Sequence, residues 1–208
     1  MNSKFNEKQI CILHVAEKLF AEKGFDGTSI RDISKAAKIN IAMVSYYFGS
    51  KDKMLEALVL FRTDGLSMQI ENLVKETVSP LEKINRLVHL YLTRINENKD
   101  IYKIIHFEMS TKKRVMTFDS FSEVKKRNSA YMKQIISEGQ IRGIFNSEVN
   151  VDLLVPTILG TFFYFQMNRP YYEEILNLDS DEAFENYVKN DLTKHIQQTI
   201  KALLLYEM

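Results

Sequence analysis

Apolar residues near the start of the chain recur with the spacing of short α-helices. A first helix is predicted to end at Gly24, where the repeat stops. A second follows Ser29, whose hydroxyl can form a capping box with the carboxylate of Asp32, and Asn40 is a favourable N-cap for a third. The inward side chains of these three helices are predicted to be Ile12, Ala16, Leu19, Phe20, Ile30, Ile33, Ala37, Val44 and Phe48.

Longer helices are predicted in the rest of the chain. A periodic run over 54–77 ends before Pro80, and further helices are predicted at about 80–97, 100–110, 117–139, 151–168 and 182–206. With only 7 Gly and 3 Pro, turns are scarce, which favours long helices over strands. We therefore expect an all-α protein of about nine helices, with a three-helix domain over 1–53 and a larger helical domain over 54–208.

Composition narrows the class of protein further. Hydrophobic residues make up 45% and charged residues 26%, which is typical of a soluble globular chain. The single cysteine, Cys11, excludes an internal disulfide and is expected to be a small core residue. The N-terminus has no apolar run typical of a signal peptide, and the most apolar stretch, 153–165, is too short to cross a bilayer. We expect a cytoplasmic protein with no membrane partner.

Motifs of catalysis and metal binding are missing from the sequence. His14, His89, His106 and His195 show no spacing of metal ligands, and there is no Gly-rich phosphate loop or nucleophile motif. We therefore expect no catalytic residues, no metal site, no cofactor and no enzymatic activity.

The second and third helices have the arrangement of a helix-turn-helix. They are short and are joined by the turn Lys38-Ile39-Asn40, which suits insertion of the second of the pair into the major groove. Residues 1–53 hold nine Lys or Arg and six Asp or Glu, a weakly positive balance. The outward side chains of the third helix are predicted to be Ile41, Ala42, Met43, Ser45, Tyr46 and Tyr47. Such an apolar and aromatic surface indicates that a partner covers it.

Three segments carry a resemblance to a known family. They are residues 16–25 (AEKLFAEKGF), 28–37 (TSIRDISKAA) and 44–53 (VSYYFGSKDK). In order and spacing they resemble the DNA-binding domain of the TetR (tetracycline repressor) family, and the likeness covers about residues 8–55. The resemblance implies a ligand-responsive transcription regulator, with 1–53 binding DNA and 54–208 binding a ligand and dimerising. It further implies a homodimer that represses from a palindromic, double-stranded operator.

The resemblance also implies which residues contact DNA. Contacts to the sugar-phosphate backbone would come from Thr28, Ser29, Arg31, Tyr46, Tyr47 and Lys51, of which Arg31 could instead reach a base. Base reading would fall to Asn40, Ile41, Ala42, Met43 and Ser45. Because most of these are apolar, contacts with thymine methyl groups are expected. Two positions depart from the family: Lys38 replaces a turn glycine, and Ser45 replaces an aromatic residue.

The larger domain is expected to bind a small apolar or aromatic effector. The candidate pocket residues are Phe61, Tyr91, Tyr102, His106, Phe107, Tyr131 and Phe165, although a core position is the more common role for each of them taken singly. The last two helices are expected to form a four-helix dimer interface, because 153–167 is apolar nearly all round. In the final helix, the predicted stripe is Leu192, Ile196, Ile200 and Leu203. The alternative is a helical ligand-binding or scaffolding dimer whose helix-turn-helix has degenerated.

Overall fold

Every regular element of the described chain is helical, which confirms the predicted all-α fold. The computed structural model describes residues 5–110 and 119–205, without the side chains of Asp64, His106, Met109, Ser110, Asp119 and Ser120. The helices in chain order are α1 Glu7–Lys23, α2 Ile30–Ala36, α3 Ile41–Phe48, α4 Lys51–Lys75, α5 Pro80–Glu97, α6 Lys99–Ser110, α7 Asp119–Ile141, α8 Leu154–Met167, α9 Arg169–Ile175, α10 Asp181–Tyr187 and α11 Thr193–Leu204. A 3-10 turn, Val151–Leu153, precedes α8, and a π-helical stretch, Val188–Leu192, joins α10 to α11.

The chain divides into two compact units. The first unit comprises Met1–Gly65 and Glu97–Lys125, and the second comprises Leu66–Asn96 and Lys126–Met208. Helices α4 and α7 each contribute residues to both units. These units are defined by how compactly the chain packs. The predicted boundary between residues 53 and 54 separates a DNA-binding domain from a ligand-binding domain, and it stays a prediction.

Local side-chain caps start the three helices at the N-terminus of the first unit. Asn6 and Gln9 form a capping box at α1, and Ser29 and Asp32 form one at α2. The side chain of Asn40 accepts from the backbone N–H of Ala42 at 2.9 Å and caps α3. The predicted caps at Ser29 and Asn40 are therefore confirmed.

The predicted inward face of the three helices is largely confirmed. Six of the side chains are buried in one core with α4, and Leu19, Ile30 and Ala37 are half-buried. The six are Ile12, Ala16, Phe20, Ile33, Val44 and Phe48. The expectation for Cys11 is wrong, because this residue is exposed. At the rotation of about 100° per residue of an α-helix, Cys11 lies opposite the side of α1 that carries Ala16 and Phe20.

The turn between α2 and α3 holds a residue in the left-handed region. Lys38 has φ of 55°, a conformation that glycine adopts without steric cost and other residues adopt at about 1 kcal/mol or more. The turn therefore requires a positive φ at position 38, which explains why glycine is common there in the family that the sequence resembles. The backbone N–H of Ile39 then donates to the carbonyl of Ser34 at 3.0 Å, which closes the turn.

The second unit is built around the apolar sides of α8, α10 and α11. Phe162, Phe184 and Ile196 are almost completely buried, and the hydroxyl of Thr193 donates to the carbonyl of Val188 at 2.9 Å within the π-helical stretch. Helix α9 was not predicted; a proline in its first turn starts it. The stripe predicted for the dimer interface is wrong at Leu192, Ile196 and Ile200, which are buried within the chain itself, whereas Leu203 is 49% exposed. Within residues 5–110 and 119–205, no helix is both long and apolar enough to span a bilayer.

Candidate nucleic-acid interface

Helices α2 and α3 pack together through their apolar sides and expose the opposite sides. Ile33 on α2 and Val44 on α3 are fully buried, and Phe48 is nearly so. With caps at both N-termini and the turn at Lys38 between them, these two helices form a helix-turn-helix. The geometry presents α3 along one surface of the first unit.

The exposed side of α3 is apolar and aromatic. Tyr46 is 84% exposed and Ile41 is 40% exposed, while Ala42 and Ser45 are also open to solvent. The helix sequence, IAMVSYYF, contains no charged residue. This surface can offer methyl groups and hydroxyls to DNA, but it cannot attract phosphates by charge.

Two predicted contact residues on α3 are less exposed than expected. Met43 and Tyr47 are half-buried, and Tyr47 packs against the core of the first unit. The rings of Tyr46 and Tyr47 lie 5.4 Å apart, edge to face. Tyr47 therefore supports the position of Tyr46 as well as presenting part of its own ring.

The side chain of Asn40 has a structural role at the start of α3. Its Oδ1 atom caps the helix through the backbone N–H of Ala42. Its amide nitrogen is the group that could donate to a base acceptor, because the carbonyl oxygen already accepts within the chain. The predicted contact with a base stays a prediction.

The N-terminus of α2 already holds a carboxylate. Asp32 Oδ2 accepts from the hydroxyl of Ser29 at 2.6 Å and from its backbone N–H at 2.9 Å. The hydroxyl bond, followed by the backbone bond, lowers the pKa of Asp32 below its usual value of 3.8. A phosphate at this helix end would have to displace or share that carboxylate. Arg31, which follows directly, is exposed and is not engaged by this cap.

Thr28 and Lys51 bond inside the protein rather than at its surface. Thr28 is 1% exposed, and its hydroxyl donates to the carbonyls of Leu19 at 3.1 Å and Gly24 at 2.9 Å. The ammonium of Lys51 donates to the carbonyls of Phe25 at 2.8 Å and Thr28 at 2.9 Å. These contacts differ from the expected phosphate contacts, since the hydroxyl of Thr28 is not presented to solvent.

An ion pair that the sequence did not predict joins α1 to α4. Glu17 is only 7% exposed and accepts from Nε of Arg62 at 2.9 and 3.1 Å, with a further bond from Nη2. Arg62 also lies over the ring of Phe61, 5.3 Å from its centroid. Glu17 falls on the apolar side of α1 next to Ala16 and Phe20. A charged residue on a buried face indicates a buried partner, but not which one.

The predicted effector-binding residues are divided between the two units. Phe61, Tyr102 and Phe107 belong to the first unit and Tyr91, Tyr131 and Phe165 to the second. In the first unit, Phe61 and Tyr102 pack against the core, whereas Phe107 is 60% exposed. The side chain of His106 lies outside the described residues. The first unit thus brings Phe61 and Tyr102 to the same core and leaves Phe107 open to solvent.

Aromatic candidates in the second unit have separate surroundings. Phe165 stacks on Tyr172, Phe184 and Tyr187, with ring centroids 4.3 to 5.5 Å away. Tyr91 is 6% exposed on α5 and Tyr131 is half-buried on α7. A shallow groove on α7 is lined by Gln134, Ser137, Glu138, Ile141 and Arg142, none of which was predicted. Within the described ranges, no group of three His, Cys, Asp or Glu side chains could hold a metal ion.

Helix α8 exposes a line of apolar side chains. Tyr164 is 64% exposed and Met167 is 70% exposed, and Leu153, just before the helix, is 57% exposed. A Cβ atom built at Gly160, on the same side, would meet no other atom within 4 Å. Helix α8 also packs against α11, whose Leu203 is exposed. These two helices are the ones expected to form a dimer interface.

Comparisons with known proteins agree with this architecture. Residues 12–58 match the family described as bacterial regulatory proteins, tetR family, and residues 80–200 match the tetracyclin repressor-like C-terminal domain. The probable HTH-type transcriptional regulator YttP of Bacillus subtilis is 26% identical over 175 residues, which cover 77% of this chain and 84% of that protein.

Two solved structures share the fold. The ketosteroid transcriptional regulator KstR2 of Mycobacterium tuberculosis superimposes with a TM-score of 0.70 at 20% identity, covering 99% of this chain and 98% of that one. The regulator FadR of Bacillus subtilis, solved with stearoyl-CoA, gives 0.72 at 17% identity, covering 92% and 96%. With a helix-turn-helix at its N-terminus and family matches over both parts, the chain belongs to the TetR family of ligand-responsive, DNA-binding transcription regulators.

Proposed function

We propose that the protein is a repressor that binds a palindromic operator as a homodimer and is released by a small apolar or aromatic effector. The observation that carries the DNA-binding part is the uncharged, exposed side of α3, with Tyr46 84% exposed. A surface of this kind is unusual in solvent and suits the floor of the major groove. Binding to chromosomal DNA would make the protein cytoplasmic.

The proposed DNA contacts fall into two groups. Ser29, Arg31, Tyr46 and Tyr47 would contact the sugar-phosphate backbone, with Tyr46 and Tyr47 using their hydroxyls. Asn40, Ile41, Ala42, Met43 and Ser45 would meet base edges. Because this second group is mostly apolar, we propose that the operator half-site contains thymine methyl groups at the central contacts.

The proposed dimer interface is the exposed apolar side of α8 together with α11. Two copies of these helices would form a four-helix interface, and a two-fold axis would make the operator a palindrome. The open space beside Gly160 supports this proposal, since it would let a partner helix approach closely. Tyr164 and Met167 would then be covered.

The proposed effector is apolar or aromatic. Two proteins of the same fold support this class by analogy: one is a ketosteroid transcriptional regulator, and the other was solved with stearoyl-CoA. We propose that effector binding to residues 54–208 shifts α4 and thereby weakens DNA binding. Coupling of this kind amounts to roughly 1–3 kcal/mol in allosteric proteins.

Selection of DNA from a random pool tests the proposal. A repressor of this kind enriches one palindrome, whereas a dimer with a degenerate helix-turn-helix enriches none. With the enriched sequence in hand, Tyr46→Phe is expected to weaken binding about tenfold, because it removes a hydrogen bond to a charged phosphate. Tyr171→Phe is the matched control, since Tyr171 is also exposed, at 58%, but lies on α9.

The effector is tested by adding stearoyl-CoA or a ketosteroid to the complex with the enriched DNA. Release of DNA from wild type and from Tyr171→Phe at the same concentration of the added probe supports an apolar effector. If DNA affinity is unchanged by every apolar probe at saturating concentration, the proposed effector class is contradicted. The proposal that the protein binds DNA is not affected by that result.

A further inference from the structure

The first residue of α4 holds the start of α2 from inside the protein. The ammonium of Lys51 donates to the backbone carbonyls of Phe25 at 2.8 Å and Thr28 at 2.9 Å. It also lies 4.3 Å from the centroid of the Phe25 ring. All three contacts are with the loop that connects α1 to α2, so this one side chain links that loop to α4.

The loop residue Thr28 extends the link to α1. Its hydroxyl donates to the carbonyls of Leu19 and Gly24, at the C-terminal end of α1. Its own carbonyl accepts from Lys51, and the next residue, Ser29, is the N-cap of α2. A continuous series of hydrogen bonds therefore runs from α1 through Thr28 to α4, directly before α2 begins.

The remaining neighbours of Lys51 also belong to the first unit. Phe25 is 2% exposed, and its ring packs on that of Phe20 with centroids 5.1 Å apart. Glu108 of α6 also interacts electrostatically with Lys51. Burial raises the pKa of the Glu108 carboxyl, and the positive charge of Lys51 lowers this pKa. The ammonium therefore lies among two backbone carbonyls and a buried aromatic ring.

We propose that Lys51 is a positioning residue for DNA recognition, which fixes the N-terminus of α2 to α4 and does not itself bind a phosphate. The proposal rests on the proposed DNA-binding function. An ammonium has three N–H donors, and two of them are used on the carbonyls of Phe25 and Thr28, of which that of Phe25 also accepts from the backbone N–H of Thr28 at 3.2 Å. Turning the side chain to a phosphate would break both bonds at the point where α2 is held.

A second contact makes the start of α4 and the three N-terminal helices one body. The Glu17–Arg62 ion pair joins α1 to α4 further along the helix, and Met54, Leu55 and Leu58 lie in the shared core. A displacement of the first turns of α4 is consequently imposed on α2 through Lys51. Without Lys51 the same displacement reaches α2 only through apolar contacts. Because such contacts are not directional, α4 could then shift relative to α2 without moving it.

The test compares Lys51→Met with Lys53→Met, since both residues lie in the first turn of α4 and Lys53 is exposed. The first readout is amide hydrogen exchange of Ser29 and Ile30 in the free protein. Lys51→Met is expected to speed this exchange about tenfold or more, and Lys53→Met is expected to leave it unchanged. Circular dichroism checks that both variants keep their helices.

The second readout is DNA affinity at a series of salt concentrations, with the palindrome enriched by wild type. Lys51→Met is expected to weaken binding about tenfold while the slope of log K against log salt stays the same. A slope reduced by about 0.9 for each lysine removed, with unchanged amide exchange, would show a phosphate contact and overturn the proposal.

Two further outcomes are distinguishable. If wild type enriches no DNA sequence, the proposed function fails, while the exchange comparison still decides whether Lys51 holds α2. If Lys51→Met does not fold, Lys51→Gln takes its place with the same two readouts, because it removes the ammonium but keeps a polar group at that position. Unchanged exchange in Lys51→Gln also overturns the proposal.

Discussion

Glu17 and Arg62 are 45 residues apart in the chain and form a bidentate ion pair between α1 and α4. The side chain of Glu17 is 9% exposed and that of Arg62 is 23% exposed, so solvent screens the pair only in part. The pair holds α1 against the first half of α4.

Arg62→Met is expected to lower the free energy of unfolding by about 2 kcal/mol, because it leaves the buried carboxylate of Glu17 without its charged donor. Urea denaturation followed by circular dichroism measures the change. The control is Arg86→Met, since Arg86 bonds Glu76 and Glu82 at the surface and is 46% exposed. Its loss should cost much less, because solvent screens these surface ion pairs. Equal effects of the two substitutions would contradict the prediction.

Lys38→Gly is expected to stabilise the protein by a few tenths to about 1 kcal/mol. Glycine removes the cost of the left-handed conformation at φ of 55°, although it also gains freedom in the unfolded chain. Thermal unfolding measures the difference. Lys35→Gly, three residues earlier within α2, should instead destabilise by about 1 kcal/mol. A loss of stability in Lys38→Gly would show that the lysine side chain makes a compensating contact.

Ser29→Ala is expected to raise the pKa of Asp32 towards its usual value of 3.8, because the Ser29 hydroxyl contributes most to lowering it. The folded pKa is depressed, so the stabilisation by Asp32 is present above pH 3.8 and is lost as the pH falls through the folded pKa. NMR titration of the Asp32 carboxyl carbon measures the shift. Ser79→Ala, which removes the oxygen that accepts from the backbone N–H of Glu82 in α5, is the control and should leave the pKa of Asp32 unchanged.

How much of this molecule was predictable depended on the distance along the chain over which each contact acts. The caps at Ser29 and Asn40 involve residues two or three positions away, so the sequence pattern sufficed for them. The Glu17–Arg62 pair crosses 45 residues, and no local pattern specifies it. Apolar periodicity also cannot tell a face that meets a second subunit from one that meets the chain's own core, which is why the sequence predicts Ile196 and Ile200 at the dimer interface although both are buried within the chain.

The contacts of Lys51 show a different limit. The family resemblance supplied a role for this residue, but not the carbonyls of Phe25 and Thr28 that surround its ammonium in the free chain. Those acceptors are backbone carbonyls, which every residue has, so the sequence does not show which of them accepts from Lys51. The aromatic candidates for the effector site were limited in the same way, because aromatic residues are as common in cores as in pockets.

Met167→Glu is expected to convert the proposed dimer to a monomer. Met167 is 70% exposed on α8, and a carboxylate there would be buried without a partner in both copies across a two-fold interface. Sedimentation velocity measures the change in mass. Met68→Glu is the matched control, since Met68 is 55% exposed on α4, outside the proposed interface. A dimer that survives Met167→Glu would exclude this side of α8 as the interface.

The exposed position of Cys11 gives the protein a natural attachment point for a probe. It is the only cysteine in the chain and lies on the solvent side of α1, within the body formed by the helix-turn-helix and the start of α4. A nitroxide attached to its thiol would give one label per subunit without any engineered residue. In a dimer, pulsed electron resonance between the two labels would then report the separation of the two DNA-reading ends, with and without effector.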